Sequence, residues 1–189
     1  MCREVPVYLK IPYSGKTTPD ADGLSPSHAL LARAAALYTG RAPEAFTALS
    51  HEPRGKPSFT AYPEVRFSVS HSADLWACAV DGETLGLDVQ AFEGRDVQRI
   101  ARRFFHPLEQ AYVDAHGYEA FFYVWAAKES YCKYTGTGID GTFSRFTVSD
   151  GERLLAQTDG AWLFPFIPRA GFIACLCTEE KAVARLVML

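Results

Sequence analysis

The chain has 189 residues, 48% of them apolar and 22% charged, an ordinary globular composition that fits one compact domain or two small intimate lobes. Its formal charge is -3, from 19 basic and 22 acidic residues, so no global positive field exists to hold a nucleic-acid backbone or an anionic membrane, and any phosphate site must be local. The N-terminal stretch through Lys10, Pro12 and Lys16 holds no apolar signal core, and no later segment approaches about eighteen continuous apolar residues, so neither export nor a membrane span is expected.

Val5 to Ile11 alternates as an edge strand, and Ser14 to Gly23, rich in Gly, Pro, Thr and Asp, is a loop. Ser25 is the N-cap of a first helix, with Pro26 at its first position. Leu30, Leu31, Ala34, Ala35, Leu37 and Tyr38 form its apolar face and Gly40 its stop. From Pro43 to Pro63 the periodicity breaks, and Arg54, Gly55, Lys56 and Pro57 fall in a loop or a short edge segment. Val65, Phe67 and Val69 then alternate with Arg66, Ser68 and Ser70, giving a strand that ends at Ser70, His71 and Ser72. A hairpin is expected next, from Trp76 to Val80, a turn at Asp81 to Glu83, and Leu85 to Gln90. In its second arm Leu85, Leu87 and Val89 take one face, which puts Gly86, Asp88 and Gln90 on the other, so two metal-capable oxygens point the same way.

Arg95 to Phe105 and Pro107 to Ala115 are two short helices divided at His106, and Glu119 to Tyr134 is a longer one that stops near Gly136. On the long helix Phe121, Trp125, Glu129 and Lys133 recur every fourth residue, so an apolar stripe ends in a carboxylate and an ammonium. The remainder is expected as strands: Phe143 to Val148, Arg153 to Gln157, Trp162 to Ile167, Phe172 to Cys177 and Ala182 to Leu189. Cys2, Cys78, Cys132, Cys175 and Cys177 lack the spacing of a disulfide framework or a zinc knuckle and point to a reducing cytoplasm. Cys175 and Cys177 share a face of a strand as small buried residues, and Thr135 to Gly138 follows a helix instead of opening one, so it is a C-terminal stop and not a phosphate loop.

Three clusters carry chemistry: Phe67 to Ser72 (FSVSHS), Leu85 to Gln90 (LGLDVQ) and Trp125 to Lys133 (WAAKESYCK). Each alone has a bland reading: a strand-end turn, a solvated strand carboxylate, a helix-surface ion pair. In this order and at these separations, with Arg54 to Pro57 ahead of them, they resemble the signature motifs of the surfactin-type 4'-phosphopantetheinyl transferases, over about Ser27 to Cys177. The resemblance implies an α+β pseudodimer of two similar lobes in one domain, about 1–92 and 93–189. Each lobe would be a long helix packed on a small antiparallel sheet, with coenzyme A between them.

It further implies a Mg²⁺-dependent enzyme of the holo-[acyl-carrier-protein] synthase type. Such an enzyme moves the 4'-phosphopantetheine group of coenzyme A to a serine of an apo acyl or peptidyl carrier protein. Asp88, Gln90 and Glu129 would hold the metal, which suits a hard cation that favours oxygen ligands. Glu129 would be the base, Asp88 and Lys133 its catalytic partners, and Arg54, Lys56, Ser70, His71, Ser72, Lys128 and Lys133 the coenzyme A contacts. A cytoplasmic monomer with no nucleic-acid or membrane partner is expected. Gln90 stands where the family usually has an acidic residue, which motivates an alternative, a coenzyme A-binding module impaired in turnover. A Ser/His hydrolase built on Ser70 to Ser72 is disfavoured, because neighbours on a strand point apart and no Gly-x-Ser-x-Gly elbow exists.

Overall fold

The computed structural model describes residues 2–15, 24–51, 56–94, 96–139 and 143–189. The order is β1 (Arg3–Lys10), α1 (Pro26–Thr39), a 3-10 turn (Pro43–Phe46), β2 (Leu49–Ser50), β3 (Ser58–Phe59), β4 (Arg66–Ser72), β5 (Leu75–Asp81) and β6 (Leu85–Ala91). Then come α2 (Val97–Phe104), α3 (Pro107–His116), α4 (Tyr118–Thr135), β7 (Gln157–Thr158), β8 (Ala161–Phe166), β9 (Phe172–Thr178) and β10 (Ala182–Met188). The fold is α+β. One sheet runs β10-β1-β5-β4 and the other β6-β9-β8-β7, with β2 and β3 as a separate pair.

Strand periodicity explains the layering. Tyr8, Trp76, Cys78 and Val80 face α1 through Leu31, Ala34 and Ala35, whereas their neighbours Val7, Leu9, Leu75, Ala77 and Ala79 face the other sheet. There they meet Leu85, Leu87, Val89, Ala174 and Leu176, while Cys175 and Cys177 on the far side meet α4. The result is a helix-sheet-sheet-helix stack, in which β5 and β9 are covered on both faces and therefore read as unbroken apolar runs. Local chemistry sets the helix ends: the Ser25 side chain accepts from His28 N at the start of α1, and Gly136 closes α4 in the left-handed region at φ 77°.

Three expectations fail. β1 is not an edge strand, because β10 pairs with it on one side and β5 on the other. β5 and β6 do not form a hairpin: β5 already has β1 on one edge and β4 on the other, so the chain crosses to the second sheet and β6 pairs with β9. The hairpin is β4–β5, closed by Ala73, at φ 47°, and Asp74. The expected strands Phe143 to Val148 and Arg153 to Gln157 also do not form, apart from a Ser149–Leu154 bridge and the first residue of β7. Side chains replace the ladder there, since Lys128 Nζ donates to Phe146 O and Val148 N donates to Glu109 Oε1. The sheets are also not contiguous in sequence: β6 joins the second, and β10 returns to the first in parallel with β1.

Gly86 lets α4 close on β6. A Cβ there would lie 1.9 Å from Ser130 O and 2.5 Å from Tyr134 N, both helix backbone that cannot yield. Gly86→Ala is expected to cost about 3 kcal/mol, the upper end of ordinary overpacking, by forcing the helix off the strand. Urea denaturation measures it, and an unchanged midpoint would contradict the close packing.

Candidate active site

Because α4 lies so near β6, residues facing each other across this contact converge. Asp88, on the middle of β6, is 2% exposed. Its Oδ1 accepts from Ser70 Oγ at 2.8 Å and from Lys133 Nζ at 2.7 Å, and its Oδ2 accepts from Gln90 Nε2 at 2.7 Å. Glu129, one turn before Lys133 on α4, lies in the same electrostatic neighbourhood. Burial, and then the negative charge of Asp88, push its carboxyl up to about 7, against the opposing pull of Lys133 and the Trp125 indole N–H. A half-buried carboxyl poised near neutrality can exchange a proton with a substrate, and one beside a second carboxylate invites a cation.

The cleft at this point has a volume of about 270 Å³ and is lined by Lys56, Phe67, Val69, Glu129, Lys133 and Gly136 among others. Lys56 donates to Leu85 O at 2.7 Å, and burial, assisted by Arg66, pushes its ammonium down to about 8. The sign of the linkage is fixed by that depression. Below pH 8 both states are protonated and the cost of the buried charge is felt in full. Between 8 and the ordinary 10.5 the native state releases its proton first, so stability from this group rises with pH. Lys56→Met is therefore expected to lack that rise. Thermal midpoints of both proteins from pH 7 to 10.5 test it, and equal slopes would contradict the burial of the ammonium.

The other anticipated residues divide. Ser70 and Ser72 turn to β6, where their hydroxyls accept from Val89 N at 3.2 Å and Ala91 N at 2.9 Å. His71 is exposed, on the opposite face of β4, its ring 5.7 Å from that of Tyr13. Gln90 turns its amide nitrogen, not its oxygen, to Asp88, as an acceptor-only carboxylate requires. Arg54 lies outside the described residues. Lys128 is a correction: its side chain is 0% exposed, bonded at 2.8 Å to Glu109 Oε1 and over the Phe146 ring at 4.0 Å, away from the cleft. Its place on α4, one residue before Glu129, turns it into the helix's inner packing. Sequence reasoning missed Glu109, for which an acidic residue three positions after His106 at a helix start gave only a capping signal.

Among the described residues no group of three or more His, Cys, Asp or Glu side chains gathers as a metal site. Asp88 and Glu129 still suit Mg²⁺, which is commonly bound through one or two carboxylates with waters and phosphate oxygens. No helix among the described residues is long and apolar enough to cross a membrane.

The cleft is lined by Glu129, Lys56 and Lys133, and Lys133 reaches back to Asp88, so carboxylates and ammoniums meet here as sites for phosphorylated substrates require. The comparisons point to a class: residues 84–170 match the model of the 4'-phosphopantetheinyl transferase superfamily. The chain is 33% identical over 113 residues to a 4'-phosphopantetheinyl transferase of Bacillus subtilis, covering 56% of this chain and 50% of that protein. It is 38% identical over 117 residues to the transferase psf-1 of Bacillus pumilus, covering 57% and 49% respectively. It is 31% identical over 137 residues to the transferase HetI of a Nostoc species, covering 67% and 58%. The chain thus spans about half the length of the curated relatives it matches. These likenesses support the resemblance to the surfactin-type family read from the three motifs.

Proposed function

We propose that this chain transfers the 4'-phosphopantetheine group of coenzyme A to a serine of an apo acyl or peptidyl carrier protein, yielding the holo carrier and adenosine 3',5'-bisphosphate. The observation that carries the reading is the convergence of Asp88, Glu129 and Lys133 beside one cleft, in a segment that matches the superfamily model. Asp88 and Glu129 hold Mg²⁺, with Gln90 supporting Asp88 through its amide. When bound, Mg²⁺ supplies neutralisation of the charge developing on the pyrophosphate.

Glu129 accepts the proton of the carrier serine as the serine oxygen bonds to the β-phosphorus. The bond from that phosphorus to the bridging oxygen breaks, and adenosine 3',5'-bisphosphate leaves with the electron pair. Lys133 balances charge on the departing oxygen, and Lys56 and the exposed His71 contact phosphate. The chain works as one domain of two helix-on-sheet lobes, as a cytoplasmic monomer.

Chromatography of adenosine 3',5'-bisphosphate released from coenzyme A tests the reading. Release that requires both an apo carrier and Mg²⁺ is expected. Binding of coenzyme A without release would leave the binding-module reading in its place.

A further inference from the structure

β6 is an edge strand of its sheet, and a strand edge presents N–H groups at every second residue that need acceptors. They receive them from side chains. Ser68, Ser70 and Ser72 on β4 accept from Leu87 N at 2.9 Å, Val89 N at 3.2 Å and Ala91 N at 2.9 Å. The period of two on β4 matches the period of two along β6, so alternate serines form a seam that closes one sheet onto the edge of the other.

A hydroxyl has one hydrogen to give, and within the seam the three are used differently. Ser68 directs its own to Leu87 O at a long 3.5 Å, whereas Ser70 donates to the carboxylate Asp88 Oδ1 at 2.8 Å. With Val89 N–H on its oxygen and Asp88 on its hydrogen, the buried Ser70 hydroxyl has no hydrogen left to give another acceptor. Its hydrogen is therefore committed to Asp88.

We infer that Ser70 is a positioning residue for Asp88, and that through it the packing of the two sheets sets the orientation of the candidate metal-binding carboxylate; this rests on the function proposed above. Ser70 fixes Oδ1 from the β4 side while Lys133 and Gln90 fix the carboxylate from α4 and from β6. Supporting hydrogen bonds of this kind orient a ligand, and removing one typically lowers metal affinity about 10- to 100-fold.

The test uses the full chain and Mn²⁺ alone as probe, followed by loss of the free-ion paramagnetic resonance signal. Ser70→Ala is expected to weaken Mn²⁺ binding about tenfold. Ser68→Ala, in the same seam but without the Asp88 contact, should leave Mn²⁺ affinity within about twofold. Ser70→Cys keeps the shape but donates weakly, so it should fall between and serves where the alanine variant does not fold. A denaturation cycle of Ser70→Ala with Asp88→Ala needs neither metal nor substrate, and its failure is thereby distinct from failure of the proposed reaction. The cost of Ser70→Ala should shrink when Asp88 is already Ala. Unchanged Mn²⁺ affinity in a folded Ser70→Ala, equal weakening by Ser68→Ala, or additive denaturation costs would each overturn the inference.

Discussion

Glu129→Gln is expected to lower turnover about a thousandfold, within the 10²–10⁴ that a positioned general base contributes, while leaving the fold intact. The substitution keeps the size and the hydrogen-bonding reach of the side chain. It removes a carboxyl that burial and the charge of Asp88 already disfavour as an anion, so the thermal midpoint should stay level or rise. The rate loss should persist at saturating Mg²⁺ and coenzyme A, because the missing group is the proton acceptor and not only a ligand. Wild-type turnover under those conditions would refute Glu129 as the base.

The second large effect is on stability. Glu109→Ala is expected to cost about 3–5 kcal/mol, since it strands the fully buried Lys128 ammonium and breaks three hydrogen bonds at once. Glu109 accepts from Lys128 Nζ at 2.8 Å, Val148 N at 2.9 Å and His106 N at 2.9 Å, so one carboxylate joins α3, α4 and the irregular segment after α4. Lys128→Met should be strongly destabilising too, by leaving Glu109 as an uncompensated buried anion. Coenzyme A affinity should be unchanged in whatever fraction folds. A folded, fully stable Lys128→Met that has lost coenzyme A binding would return Lys128 to the cleft.

What was legible in the sequence had local causes. Ser25, Pro26 and Gly136 mark helix ends through chemistry confined to one turn, and the fourfold spacing of Phe121, Trp125, Glu129 and Lys133 places Glu129 and Lys133 on one face of α4. The alternation of β6 likewise put Asp88 and Gln90 opposite the core side chains Leu85, Leu87 and Val89. What failed depended on partners distant in sequence. Trp76 to Val80 and Leu85 to Gln90 look like hairpin arms, and only the occupation of both β5 edges by β1 and β4 sends β6 to another sheet. Phe143 to Val148 has strand propensity, but its polar groups are claimed by Lys128 and Glu109, 18 and 39 residues away for the two bonds. The orientation of Lys128 was misread because adjacent positions on a helix, 128 and 129, point about 100° apart, one into the core and one to the cleft.

The seam and the close α4–β6 approach together show why the carboxylates of the site can be so near each other. Gly86 removes the side chain that would hold the helix off, and the Asp88 charge is received by Ser70, Gln90 and Lys133 from three directions. Burial of Glu129, and then the neighbouring negative charge of Asp88, raise its affinity for a proton against the opposing pull of Lys133.

The central claim is a covalent transfer, and the intact mass of an apo carrier protein incubated with this chain, coenzyme A and Mg²⁺ tests it most directly. The account predicts that the carrier gains the mass of one phosphopantetheine on a serine, and that this gain vanishes with Glu129→Gln. A carrier whose mass stays unchanged with the wild-type chain, across both acyl and peptidyl carriers and with coenzyme A demonstrably bound, would contradict it.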